Sequence, residues 1–327
     1  MSGRKYLVTG GTGFLGSALV KRLVRDGHQV RVLDDNSRGR AARLADIEGQ
    51  YEYFPADVRD PEAVSRACQG IEMVCHLAFV NGTEFFYTKP ELVLDVAVKG
   101  MVNVLDGCKA HDVPDLFLMS SSEVYQTPPR VPTDETAPLS IPDPLNPRYS
   151  YAAGKIISEI MAINYGRQRF RRVVTVRPHN VYGADMGFEH VVPQFALRMR
   201  SLKDSTADPV PFPIQGDGRQ TRSFVYIDDF TDGVVVAMNQ GDHLGIYHVG
   251  TLEEVTMSEL AEKVGQCFGR RIQVVPGKLP EGGTNRRCPD IAKISRLGYA
   301  PKFTLDAALP QVTRWYDEHA HLAPAKP

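Results

Sequence analysis

The stretch Tyr6–Gly16, YLVTGGTGFLG, limits what this chain can fold into more than any other. Tyr6, Leu7 and Val8 form an unbroken apolar run of the kind carried by a strand buried on both faces. A glycine cluster follows, and from Phe14 onward apolar residues recur at helical spacing. A strand, a tight turn and a helix are therefore predicted. Gly11, Gly13 and Gly16 satisfy G-x-G-x-x-G, and Gly10, Gly13 and Gly16 satisfy its shifted form, so a backbone without Cβ atoms can approach a pyrophosphate. The phosphates would rest on amide donors of the helix start, whose first turn is Phe14, Leu15 and Gly16. About twenty residues on, the run Gln29–Leu33 ends in Asp34, a carboxylate placed for an adenosine ribose. Asp34 and Asp35 would repel a 2′-phosphate, so NAD is expected, with Arg38 the one nearby group that argues for NADP.

A length of 327 residues allows two domains or one large α/β domain with an appended lobe. A net charge of −1 leaves no electrostatic footprint for nucleic acid or an anionic membrane, so neither is an expected partner. The five cysteines are scattered and never spaced C-x-x-C, which fits neither a disulfide framework nor a metal site. No long apolar span and no signal-like start are present, and a cytoplasmic enzyme is expected.

Along the chain, strand-like and helix-like segments alternate. Tyr51–Ala56 reads as a third strand ending at Asp57. Asp57 and Val58 either face the adenine or open a loop in which Asp60 caps a helix at Pro61. A fourth strand, Glu72–Leu77, ends in His76-Leu77-Ala78. Small Ala78, beside Leu77, lets a cofactor pass close, while His76 inside an apolar run reads as a core histidine or as an acid. Phe79–Lys89 reads as a loop, Pro90–Ala110 as a long helix with a broad buried face, and Asp115–Ser122 as a fifth strand. The alternation predicts a doubly wound parallel sheet of the Rossmann type.

Past a serine cluster and a proline-rich loop, Tyr149–Arg167 is predicted as a helix that carries Tyr151 and Lys155. Four residues apart, they share one helix face. An ammonium beside a phenol favours the phenolate, which suits proton exchange with a sugar or alcohol hydroxyl during hydride transfer. Ser121, at a strand end on the same sheet edge, offers a hydroxyl to the same substrate oxygen or, alternatively, satisfies turn amides.

TGGTGFLG, Asp34, the Ser121 strand end and Tyr151-Ala152-Ala153-Gly154-Lys155 together resemble the extended short-chain dehydrogenase/reductase family. The likeness is closer to its NAD-dependent nucleotide-sugar epimerase/dehydratase branch. Arg177-Pro178-His179-Asn180-Val181-Tyr182-Gly183, the segment Gly216–Asp229 and Tyr247-His248-Val249-Gly250 extend it over nearly the whole chain. The resemblance implies a tightly held NAD that takes a hydride from a sugar carbon and later returns it. Tyr151 would be the base, Lys155 would lower its pKa and bind the nicotinamide ribose, and Ser121 would orient the sugar hydroxyl. It also implies that Asn180, Arg222 and Arg287 bind the nucleotide-diphosphate sugar, and that the chain forms a homodimer through its two long helices.

Glu123 is the residue that divides the branch, since a glutamate there resembles the acid/base of dehydratases and decarboxylases. Ser122 stands where one dehydratase group has an aspartate, Ala97-Val98-Lys99-Gly100 lacks a common asparagine, and His179 replaces a phenylalanine. The expected activity is C4 epimerisation of a nucleotide sugar through a 4-keto intermediate. The alternatives are a 4,6-dehydratase or decarboxylase using Glu123, or a cofactor-binding regulator without turnover. Residues 1–178 are expected to form the NAD-binding domain. Residues 179–327 would form mainly a smaller C-terminal substrate-binding lobe, with some chain returning to the sheet.

Overall fold

The computed structural model describes residues 3–278 and 284–324. Its first half alternates strand and helix: β1 (Lys5–Thr9), α1 (Phe14–Arg25), β2 (Gln29–Leu33), β3 (Glu52–Phe54), α2 (Pro61–Cys68) and β4 (Met73–His76). There follow α3 (Thr83–Thr88), α4 (Pro90–Ala110), β5 (Asp115–Met119), α5 (Ser150–Arg169) and β6 (Arg172–Pro178). The strand Gly245–Val249 returns from the second half to complete a seven-stranded sheet. From that strand the order runs β6, β5, β4, β1, β2, β3, and every pairing is parallel. The order reverses between β1 and β4, and such a switch point opens a crevice at the carboxyl ends of the strands.

Local chemistry sets these elements. Tyr6, Leu7 and Val8 are at most 1% exposed, as a strand covered by helices on both faces requires. Asp60 caps α2 by accepting from the amides of Glu62 (3.0 Å) and Ala63 (3.1 Å), with Pro61 as the first helical residue. Gly27 and Gly70, both at positive φ, stand just beyond α1 and α2. β3 is shorter than the expected Tyr51–Ala56, because Pro55 has no N–H to continue the ladder. The expected loop Phe79–Lys89 contains the short helix α3, whose Phe86 turns inward against Tyr151 and Val93.

A second core lies beyond the sheet. The helices Val191–Ser201, Met257–Cys267 and Leu305–Glu318 pack Phe195, Met199, Leu260, Leu309 and Tyr316 around Phe212 of the strand Val210–Ile214. Thr256 and Glu259 form a reciprocal capping box at the start of the second of these helices. No helix among the described residues is long and apolar enough to cross a membrane.

Candidate active site

A cavity of about 440 Å³ opens at the switch point. Its floor is the turn after β1. Gly10 has φ +72°, and a Cβ there would lie 2.7 Å from the amide nitrogen of Ala78. A Cβ on Gly16 would lie 2.0 Å from the carbonyl oxygen of Gly10, so the turn closes onto α1 only because both residues are glycine. Gly13 is the extended N-cap of α1 and carries no side-chain cap. The next residues, Phe14, Leu15 and Gly16, line the cavity where a helix start leaves amide donors without intrahelical partners. Asp34 braces the turn: its carboxylate accepts from the amides of Thr12 (3.0 Å) and Asn36 (2.8 Å) and keeps lone pairs for further donors. A Cβ-free cradle above helix amides, with a carboxylate at its end, fits a dinucleotide pyrophosphate and ribose.

The walls hold Asp57, Val58, Leu77 and Ala78. Asp57 is clamped by Arg59 (2.6 and 2.9 Å), whose guanidinium holds the carboxyl below its usual range. Asp60 takes the helix cap while Asp57 and Val58 stay on the cavity wall, so each residue of that loop has a separate place. His76 is 2% exposed and bonded to Thr9 Oγ1 at 2.8 Å. That hydroxyl accepts from the amides of Leu77 and Ala78, so its proton goes to His76 Nδ1. Burial, and then Lys155, push His76 down to about 3, which makes it a neutral core histidine rather than an acid.

Three consecutive residues at the end of β5 meet three turns of α5. The carbonyl of Met119 accepts from Lys155 Nζ at 2.7 Å, Ser120 Oγ donates to Glu159, and the Ser121 hydroxyl accepts from the amide of Glu123 at 3.1 Å, as a turn serine does, while facing Tyr151. Tyr151, Lys155 and Glu159 are spaced by four, so they stand in a row on one face. Burial raises the Tyr151 phenol above its ordinary value, and the Ser121 hydroxyl opposes this. Burial also pulls Lys155 down to about 7 against the pull of Glu159.

Glu123 and Arg287 form an ion pair at 2.5 Å on the cavity wall. Burial would raise the Glu123 carboxyl, but Arg287, with Arg148 and Arg222 behind it, outweighs burial and lowers it. Arg287 also donates to Thr284 Oγ1 at 3.1 Å. Asn180, at φ +39°, lines the cavity and donates to the carbonyl of Ser223 at 2.9 Å. Arg222 is the one expected site residue away from the lining. Its guanidinium donates to the carbonyls of Thr221 (2.7 Å) and Thr284 (2.6 Å), and burial and Arg287 bring it down to about 10.

Other parts of the site did not announce themselves in the sequence. Phe79, Phe86 and Arg148 line the cavity, and both phenylalanines lie against Tyr151. Behind Glu159, Arg177 closes a bidentate pair (2.9 and 2.6 Å) and reaches Tyr125, whose hydroxyl meets His248 Nε2 at 2.6 Å. The third step of the Tyr151, Lys155, Glu159 series was the available signal for this network.

Comparison with known proteins agrees with this geometry. The chain is 32% identical over 320 residues to UDP-glucuronic acid decarboxylase 1 of Arabidopsis thaliana, covering 95% of this chain and 70% of that one. It is 30% identical over 314 residues to a putative UDP-glucose 4-epimerase of Methanocaldococcus jannaschii, covering 94% and 97%. Its fold is similar to that of DesIV, a dTDP-glucose 4,6-dehydratase of Streptomyces venezuelae with NAD and TYD bound. There the TM-score is 0.85 and the identity 27%, with 98% of each chain covered. The model of the NAD dependent epimerase/dehydratase family matches residues 6–250, from the first strand through the returning one. With the glycine cradle, Asp34 and the Tyr151–Lys155 row inside that span, the chain belongs to this family of nucleotide-sugar enzymes, and its cofactor is NAD.

Proposed function

We propose that this chain oxidises C4 of a nucleotide-diphosphate sugar bearing a C6 carboxylate and releases that carboxylate as CO2. The observation that carries this reading is the Glu123–Arg287 pair in the same cavity as Ser121 and Tyr151. A guanidinium at that place gives a uronate's carboxylate a partner that a neutral hexose lacks the charge to use, beyond any contact it makes with the diphosphate. Arg287 has N–H donors beyond those given to Glu123 and Thr284, and five fixed donors suit a carboxylate. Glu123, held ionised, sits beside the incoming carboxylate as a like charge, and loss of CO2 relieves that repulsion. The 32% identical decarboxylase supports the same reading.

In this mechanism Ser121 holds the C4 oxygen, Tyr151 takes the hydroxyl proton and Lys155 stabilises the phenolate. When bound, NAD supplies the acceptor and then the donor of the C4 hydrogen. The 4-keto acid breaks its C5–C6 bond, and the electron pair passes toward C5 and the C4 oxygen as CO2 leaves. C5 then takes a proton from water, and Tyr151 returns its proton to the C4 oxygen. The wall of Leu77, Ala78 and Val58 would carry the adenosine half, with Asp34 on its ribose. Asn180 would serve the diphosphate from the lobe of residues 179–327, Arg222 would join it only by giving up the carbonyls of Thr221 and Thr284, and the unpaired cysteines suit the cytoplasm.

C4 epimerisation is the second reading, favoured by the 30% identical relative and by the fact that Ser121, Tyr151 and Lys155 alone suffice for it. Dehydration has less support, because Ser122, buried at 4% exposure, offers no carboxylic acid to expel the C6 hydroxyl. Incubating the holoenzyme in heavy water with UDP-glucuronic acid, UDP-glucose and dTDP-glucose separates the three. Decarboxylation releases CO2 and places one deuterium at C5, dehydration labels C5 without CO2, and epimerisation leaves C5 unlabelled. Glu123→Gln is expected to cut turnover of the uronic sugar by about 10²-fold or more, the usual cost of a lost charged group at a reacting centre. Wild-type turnover of the uronic sugar in that variant would remove Glu123 from the mechanism, and absence of CO2 release from the unaltered holoenzyme would remove the decarboxylase reading and leave the epimerase.

We also propose a homodimer. Leu94, Val98 and Val102 on α4 are 36–39% exposed at intervals of four, and Ile157, Ile160 and Tyr165 on α5 are 37–47% exposed. The two helices pack against each other, so together they present apolar surface suited to the same face of a second copy. Val98→Glu is expected to give a monomer by light scattering at micromolar concentration. A dimer that persists in Val98→Glu and in Ile160→Glu would refute this interface.

A further inference from the structure

Lys155 is 3% exposed, yet among the described residues no carboxylate pairs with its ammonium. One of its three donors goes to the carbonyl of Met119 at 2.7 Å. Glu159, one turn further on the same helix, is occupied by Ser120 and Arg177. The remaining support is aromatic: Lys155 Nζ lies 3.7 Å from the centroid of Phe79, with the Tyr151 ring farther off at 5.7 Å. A cation over a ring face is attracted by the ring quadrupole, and most strongly where water is excluded.

The ring is placed there by the backbone. Phe79 follows the carboxyl end of β4 and fits against α5 at Gly154, where a Cβ would stand 3.0 Å from Phe79 Cζ. It meets Tyr151 edge-on, at 5.2 Å and 81°, while Phe86 of α3 stacks on Tyr151 at 5.0 Å and 25°. One segment thus supplies the rings that touch both the phenol and the ammonium.

We propose that Phe79 is a positioning residue that keeps the Lys155 ammonium charged and aligned with Tyr151 by presenting its ring face to it. This rests on the reading that Tyr151 and Lys155 carry the proton transfer. The other groups facing the pair are His76 at the end of β4, Glu159 on α5, and Glu123 and Arg287 across from Tyr151. Helix α4 contributes apolar residues, Val93 and Val96 in the cluster with Tyr151 and Ala97 against Gly154. His76 is neutral, and Glu123 is matched by Arg287, so neither replaces the ring.

The sign follows from treating the two groups as one titrating pair. Burial already brings Lys155 down to about 7, so near neutral pH the pair loses a single proton. That loss leaves either phenolate with ammonium, the active form, or phenol with amine. Without the ring the ammonium is less stable. The apparent value then falls by about one pH unit, and the active share of the singly deprotonated pair falls about tenfold.

Two measurements test this. In the holoenzyme, the pH dependence of kcat with UDP-glucuronic acid and UDP-glucose is compared for wild type, Phe79→Leu and Phe79→Tyr. Phe79→Leu is expected to move the rising limb down by about one unit and lower the plateau about tenfold, with Phe79→Tyr restoring both. Independently of substrate, lysine labelled with ¹³C at Cε gives the Lys155 titration by NMR, its resonance assigned with Lys155→Met. The midpoint is expected about one unit lower in Phe79→Leu, or in Phe79→Met if the leucine variant does not fold. An unchanged midpoint overturns the proposal. Full activity in Tyr151→Phe would instead refute the proton-transfer reading, and the NMR midpoint would still decide the role of the ring.

Discussion

Tyr151→Phe is expected to lower turnover by about 10²- to 10⁴-fold, the range in which positioned acid/base groups act, while the fold and NAD content persist. Only one oxygen is lost, because Phe79 and Phe86 hold the ring and phenylalanine fills the same space. The phenol is a poor base until the ammonium assists it. Burial raises it above its ordinary value, and the Ser121 hydroxyl only partly opposes this. Wild-type activity should therefore rise with pH through the neutral range, where the pair sheds its first proton, with Lys155 brought down to about 7. Lys155→Met leaves the buried phenol to ionise alone, so its rising limb should move upward past the ordinary phenol value. In Tyr151→Phe that limb should vanish from the residual activity. Rate profiles of the three proteins, each checked for bound NAD by absorbance after denaturation, measure these outcomes. A Tyr151→Phe protein with wild-type kcat would remove the proposed base.

Residues whose chemistry depends on near neighbours were legible in the sequence. The glycine turn follows from the absence of Cβ atoms, Asp34 from its place at the end of β2, and the Tyr151–Lys155 row from a spacing of four. Asp60 and Pro61 predicted the start of α2 because a cap uses amides two and three residues away. Contacts between distant segments were not legible. The Glu123–Arg287 pair joins residues 164 apart, and nothing local links a strand end to a position so far along the chain. Arg222 illustrates the reverse: its motif resembles a ligand-binding segment, yet nearby carbonyls of Thr221, Thr284 and Asn285 take up its donors. Phe79 looked like one aromatic residue in a polar loop. Only the seating of the segment after β4 against Gly154 of α5 places it over an ammonium 76 residues later.

Glu159→Gln is expected to cost about 3–5 kcal/mol of stability, the price of leaving one member of a buried ion pair uncompensated. The Glu159 and Arg177 side chains are 1% and 3% exposed, so water cannot replace the lost charge. Their bidentate contact joins α5 to β6, and Ser120 and Tyr125 complete it from the β5 side. A glutamine still accepts one hydrogen bond from Arg177, but the guanidinium then remains charged in a buried site facing Tyr125 and His248 rather than an anion. Replacing both partners, as in Glu159→Met with Arg177→Met, removes the stranded charge, and the double variant should recover much of the loss in urea unfolding midpoint. Catalysis should respond differently from stability. Ser120 lies between Met119, which holds Lys155, and Ser121, which faces Tyr151. Freeing Ser120 from Glu159 therefore loosens both catalytic contacts at once, and the double variant should regain stability without regaining kcat. Recovery of both together would mean that the pair serves only the fold, and that the end of β5 keeps its alignment without it.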